Sequence, residues 1–337
     1  MSELPRSRPD VEPEVSVEEL DREQRLTLIQ RQAMELVPAE TSALASLKSG
    51  YYELPMLKEP SWTWEIPLYF FVGGAAGASG VIAAVARLSG ASPQLVRDAR
   101  RIAFAGSILS PLLLISDLGR PARFLAMLRV FKPQSPMSVG AWVLVGFSGG
   151  ATAANVGGWI ADNTPYAGLA RLVQASGDIV ALLFGLPLAT YTGVLIGATV
   201  IPAWNRNISL LPAHFAASGL AASVGLLELM GHRSPALQTL GMGAALTETA
   251  MGASIELSPD PAVEPLKHGP SGWLIRVGGV LSGPIPLALR AISLFSKGRR
   301  AERLRKYAAV SSVVGSAITR AAWIHAGHIS ARESRPA

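Results

Sequence analysis

An all-α, polytopic membrane bundle of about eight transmembrane helices is the fold class this sequence predicts, and three observations predict it. About half of the 337 residues are apolar while only 16% are charged, and mean hydropathy is positive, a balance foreign to soluble proteins of this size. Mainly apolar runs approaching the ~20 residues needed to cross a ~30 Å hydrocarbon core recur along the chain. Within those runs Gly and Ser are frequent, as in membrane helices whose backbones approach closely.

The first 50 residues stand apart. They carry ten Asp/Glu against six Lys/Arg and early prolines at Pro5, Pro9 and Pro13, which describes a solvated acidic tail with one polar helix between Val17 and Val37. Nothing in it has the basic start, apolar middle and small-residue cleavage site of a signal peptide. A membrane domain over 51–330 and a short C-terminal tail over 331–337 complete the organisation. The membrane part is strongly basic, which bears on loop orientation. No interleaving of basic and aromatic residues suggests a nucleic-acid groove. The chain has no cysteine, so disulfides, thiolate-bound iron–sulfur clusters and cysteine zinc sites are excluded within it.

Eight crossings are expected, at about Pro67–Leu88, Ile102–Ser116, Val139–Ile160, Ile179–Ala203, Leu210–Met230, Ala236–Ile255, Gly272–Leu294 and Tyr307–His328. Arg87, Arg97, Arg100 and Arg101 join the first two, and Lys297, Arg299, Arg300, Arg303, Arg305 and Lys306 join the last two. By the positive-inside rule these connections are cytoplasmic. Both termini are then outside, with the 117–134 loop and the acidic 259–270 loop. The exception is Arg120, Arg123, Arg129 and Lys132, basic residues on the outer side, which points to a site or a docking face there.

Gly73, Gly77 and Gly80 in the first crossing read as small-residue packing, since a nucleotide loop requires a preceding strand. Trp62, Trp64, Trp142, Trp159, Trp204, Trp273 and Trp323 lie at or near segment ends, as an interfacial belt would. Glu65 and Tyr69 share one helix face four residues apart, a carboxylate and a phenol able to converge on a polar head group. Ionisable residues inside crossings face the bundle interior, pair, or line a path. Asp117, Glu228, Glu248, Arg276, Arg320, His214 and His325 therefore need partners or tasks. Asp117, Glu248 and Arg320 are expected in the outer half, either as a proton relay or with Glu248 and Arg320 as a buried charge pair. His325 and His328 are too close on one helix to clamp both faces of a haem, and no HExxH, His cluster or Ser-His-Asp spacing supports metal or hydrolytic chemistry.

The run 51–60 (YYELPMLKEP), then 62–71 (WTWEIPLYFF), 117–124 (DLGRPARF), 127–133 (MLRVFKP), 135–138 (SPMS) and Tyr191-Thr192-Gly193 together resemble the NrfD-type membrane subunits of polysulfide and nitrite reductase systems. The similarity covers roughly 51–330, and the stretch after the second crossing is its most specific part. It implies a quinone-interacting anchor of a bacterial inner-membrane oxidoreductase, not catalytic alone, using menaquinone or ubiquinone and holding no haem or iron–sulfur cluster of its own. The implied partners are a ferredoxin-like iron–sulfur subunit and a molybdopterin-type catalytic subunit. Carried over by position, quinone contacts fall on Glu65, Tyr69 and Tyr191. Their shared depth, and not the resemblance, makes Asp117, Glu248 and Arg320 the proton-relay or charge-pair set, and the outer-side charge makes Arg120 and Arg123 the candidates for partner docking. The competing classes are a secondary transporter or channel, for which an inverted repeat would be expected and none is evident, and a structural anchor with a degenerate quinone site.

Overall fold

The computed structural model describes residues 57–119 and 121–333, and every regular element among them is helical. The acidic tail, the 51–56 part of the family-like run and Arg120 lie outside the described residues, as does the Arg123 side chain. The helices are α1 (Glu65–Leu88), α2 (Pro93–Asp117), α3 (Pro121–Met127), α4 (Pro136–Asn163), α5 (Ala167–Gly197), α6 (Pro202–Asn205), α7 (Leu211–Leu229), α8 (Pro235–Leu257), α9 (Glu264–Lys267), α10 (Gly269–Ser282), α11 (Pro284–Phe295) and α12 (Gly298–Glu333), with a 3-10 turn at Pro261–Val263.

Among the described residues, five stretches are long and apolar enough to cross a membrane: α1, α2, α4, α5 and the α10–α11 pair. Helices α7, α8 and α12 pack against them, and each carries a fully buried polar group that lowers its hydropathy: His214, Glu248 and Arg320 respectively.

Helix α1 lies at the centre, packed on α2, α5, α7 and α12. Its glycines act as the pattern predicts. A Cβ on Gly77 would sit 2.6 Å from the Gly185 carbonyl of α5, and one on Gly185 would meet the Gly77 carbonyl at 2.7 Å. Only two glycines allow that crossing, and dispersion contacts then hold the backbones together where lipid offers no hydrophobic drive.

Helix boundaries follow from capping chemistry. Ser135 caps α4 by accepting from the Ser138 amide, Ser234 caps α8 by accepting from the Leu237 amide, and a proline follows each at the first helical position, where its missing N–H costs nothing. Helix α2 begins at Pro93, nine residues before the expected crossing, so Arg97, Arg100 and Arg101 ride on its first turns and not in a loop. It ends through Gly119, whose φ of +65° is the left-handed conformation typical of a helix terminator.

The expected seventh crossing is broken. At Gly283 the backbone turns to φ −106°, ψ −93°, because the next residue, Pro284, has no N–H to continue the ladder and disfavours helical geometry before it. A Cβ on Gly283 would lie 2.8 Å from Thr249 Oγ1. Such breaks are tolerated at membrane depth when buried in protein, and this one delivers Ser282 to Glu248.

The tryptophans divide into two sets. Trp64, Trp142, Trp159 and Trp273 are exposed, as a belt requires, but Trp204 and Trp323 are buried. The reason is a specific joint: Trp204 Nε1 donates to the Trp323 carbonyl at 2.8 Å, and Trp62 stacks on Trp204 with centroids 5.4 Å apart. The segment leading into α1 is thereby pinned to α12.

A second clamp reinforces that joint. Glu59 accepts from Arg332 Nε at 2.9 Å and Nη2 at 2.7 Å, and lies 2.9 Å from His328 Nδ1. The Arg332 hydrogen bonds, and then His328, lower the Glu59 carboxyl from 4.5 to about 2. A depressed carboxyl stabilises the fold above its unfolded value and loses that contribution as pH falls through the folded one. Thermal melting of Glu59→Gln in mild detergent is therefore expected to fall below wild type at pH 6, with the difference closing between pH 4.5 and about 2. A gap that persisted at the acidic end would disprove the clamp.

Candidate functional site at one end of the bundle

The segment before α1, the end of α2 and the start of α4 meet the last turns of α5 around a cavity of about 240 Å³. Trp62, Tyr69, Phe70, Asp117, Gly140 and Tyr191 are among its walls. Three residues singled out by sequence, Tyr69, Tyr191 and Asp117, thus converge although they come from three helices. Both tyrosines are almost fully buried, and among the described residues no protein group hydrogen-bonds either phenol oxygen. Tyr191 can lie there only because α4 offers Gly140: a Cβ at that position would be 1.8 Å from Tyr191 Cζ.

Glu65 stands beside this cavity and is not in its wall. It accepts from the Thr63 hydroxyl, which also lies 3.2 Å from Asp117 Oδ1, while the Thr63 amide donates to the same oxygen at 3.4 Å. Asp117, Thr63 and Glu65 form one polar rim. The Ser135 to Ser138 element contributes scaffolding: Ser138 Oγ accepts from the Lys132 amide at 3.0 Å, folding the post-α2 segment back onto the start of α4.

Beneath the cavity lies a second polar group. Arg320 is fully buried. Its Nη1 donates to Thr192, the neighbour of Tyr191, at 3.2 Å, and its Nη2 donates to the Phe215 carbonyl at 2.6 Å. The guanidinium also covers the Phe215 ring at 4.0 Å, a cation–π contact strengthened by desolvation. Phe215 lies 6.1 Å from Phe70 of the cavity wall, so aromatic contacts link cavity and cluster.

The direct Glu248–Arg320 ion pair is not formed. Glu248 accepts from Ser282 Oγ at 2.8 Å, and its nearest ionisable neighbour is His214, with Nδ1 3.7 Å from Oε1. The imidazole sits on α7 and packs edge-on against Trp323. It is no interfacial residue. Both its nitrogens, Glu248 Oε1 and Arg320 Nε have no hydrogen-bond partner among the described residues, which leaves the buried cluster with unused donor and acceptor capacity.

Arg276 and Glu228 have structural partners, whereas His325 forms no hydrogen bond or ion pair among the described residues. Arg276 pairs with Glu256 on the surface, and Glu228 takes both Nη groups of Arg290. Sequence reasoning missed Arg290 and Asp178, both buried. Asp178 accepts from Arg87 and from Arg100. Its signal was present: an aspartate at the edge of an apolar run, facing a connection dense with arginine. No group of three or more metal-ligating side chains forms among the described residues.

These features define a polytopic helical membrane protein with a phenol-lined, carboxylate-rimmed cavity at one end of the bundle. The chain belongs to the NrfD-type family described as polysulfide reductase, which matches residues 48–332. Among curated proteins none matches it.

Proposed function

We propose that the chain is the quinone-binding membrane anchor of a multi-subunit oxidoreductase, with the 240 Å³ cavity as the quinone site. The observation that carries this reading is the pair of phenol hydroxyls, Tyr69 and Tyr191, unbonded by protein and opening into one aromatic-walled cavity. Two buried donors without acceptors call for a ligand with carbonyl or hydroxyl oxygens. A bound quinone, menaquinone or ubiquinone, supplies reversible chemistry of two electrons and two protons.

Tyr69 and Tyr191 then hold the ring oxygens, and Trp62 and Phe70 supply flat apolar walls. Asp117, at the rim and hydrogen-bonded by Thr63, exchanges a proton between the cavity and solvent, with Glu65 as the next carboxylate. Glu248 and His214 extend the set of proton-exchanging groups inward, and Arg320 keeps positive charge beside them. Electrons pass to or from a docked ferredoxin-like iron–sulfur subunit, itself joined to a molybdopterin-type catalytic subunit, with Arg120 and Arg123 on the docking face.

On this reading the basic ends of α2 and α12 face the cytoplasm by the positive-inside rule, and the membrane is a bacterial inner membrane. With α7, α8 and α12 counted, the crossings number eight and both termini lie outside.

The test is quinone-coupled electron transfer in the assembled complex. Tyr191→Phe is expected to lower it roughly tenfold, the ~1 to 1.5 kcal/mol of one hydrogen bond. Asp117→Asn is expected to slow turnover with little effect on quinone retention. Full activity in both variants would refute the assignment.

A further inference from the structure

The opposite end of the bundle carries a second, differently built cavity. It measures about 370 Å³ and lies between the first turns of α2, the end of α4 and the start of α5. Arg97, Arg100 and Arg101 line it from α2, Asn155, Trp159 and Asp162 from α4, and Gln174 from α5.

Part of this charge has a structural explanation. Arg100 spends Nε and Nη2 on Asp178 at 2.8 and 2.6 Å, Arg101 binds Asp98 at 2.8 Å, and Asp162 has Arg171 at 3.6 Å. Arg87 reaches Asp178 as well. Five arginines, Arg97 included, thus surround three aspartates, leaving an excess of positive charge. Arg97, solvent-exposed and part of the cavity lining, forms no ion pair or hydrogen bond among the described residues. The Gln174 amide, also in the wall, is likewise without a protein partner among them.

The position names the class of ligand. Trp159 is 64% exposed and Val156, three residues earlier on the same face of α4, is 40% exposed, so an apolar strip runs from the cavity rim toward the bilayer centre. Basic pockets between helix ends at the membrane surface recognise anionic lipid head groups, and an interfacial tryptophan marks the depth at which such head groups lie.

We propose that this cavity binds the phosphodiester of an anionic glycerophospholipid, with Arg97 and Arg100 on the phosphate, Gln174 hydrogen-bonding the head group and an acyl chain along Trp159 and Val156. The bound lipid ties α2 to α4 and α5 at the end remote from the candidate quinone site, and its role is independent of that site's function.

Native mass spectrometry of the intact chain in mild detergent tests this, with phosphatidylglycerol, phosphatidylcholine and inorganic phosphate as probes. Phosphatidylglycerol is expected to remain bound and to raise the melting temperature, and the other two are not. Arg97→Gln is expected to weaken retention roughly fivefold, matching the ~1 kcal/mol that one basic side chain contributes near an anionic surface. Arg299→Gln, at the same end and outside the cavity, is expected to leave retention unchanged. Three results would each overturn the proposal: equal loss in both variants, since the effect would be diffuse surface charge; unchanged retention in Arg97→Gln; or inorganic phosphate stabilising as well as the lipid, since the ligand would be a free anion.

Discussion

Arg290→Met is expected to destabilise the bundle by about 3–5 kcal/mol, the cost of leaving a buried charge without its partner. Arg290 is fully buried, and its two Nη groups meet both Glu228 oxygens at 2.7 and 2.8 Å. The guanidinium lies across α8 at Gly241, where a Cβ would be 2.4 Å from Cζ, and Gln238 Nε2 donates to the Arg290 carbonyl at 3.1 Å. Methionine fills the volume but strands the Glu228 carboxylate. The double variant Arg290→Met/Glu228→Gln is expected to recover most of the loss, because the pair has been removed together with its desolvation cost. Denaturation in mild detergent, comparing single and double variants, reads both. Equal destabilisation in the two would show that packing across Gly241, and not the stranded charge, dominates.

Gly140→Ala is expected to lower quinone-coupled electron transfer about 100-fold, as displacements near 1 Å at a reacting centre do, while the fold survives. The added methyl would occupy the position of the Tyr191 ring, 1.8 Å from Cζ and 2.1 Å from the hydroxyl, so the ring must leave the cavity wall. Overpacking of this kind costs typically ~1–3 kcal/mol, visible as a lower melting temperature but short of unfolding. Gly149→Ala, on the same helix with nothing within 4 Å of the added Cβ, is the matched control and is expected to behave as wild type. A fully active Gly140→Ala complex would remove Tyr191 from the site.

Much of the architecture was legible along the chain because it rests on local rules. Hydropathy located the long helices, while their ends, the Ser-Pro starts of α4 and α8 and the Gly119 terminator of α2, came from the structure. The break at Gly283 inside the seventh crossing went unseen because hydropathy is blind to a Gly-Pro step inside an apolar run. Trp204 and Trp323 were placed in the belt because a tryptophan near a segment end looks alike whether it meets lipid or another helix. The site was half legible: Tyr69, Asp117 and Tyr191 were named and do share a cavity, whereas Glu65 stands beside it and Gly140 went unnoticed, since a glycine's value there depends wholly on the ring opposite.

By itself the sequence determined that this is a helical membrane bundle with no cysteine chemistry of its own, with glycine-mediated contacts on α1 and basic residues concentrated at one end. Those properties follow from composition and short-range periodicity, which a single chain displays directly. Only the tertiary structure decided which buried charges meet: Arg290 with Glu228, Arg87 and Arg100 with Asp178, and Arg320 with Thr192 and the Phe215 carbonyl while His214 stands next to Glu248. The physical reason is that an intramembrane charge must find a partner, but several partners of the right sign exist in the sequence. Helix rotation and depth select among them, and both are set by packing between segments far apart in the chain.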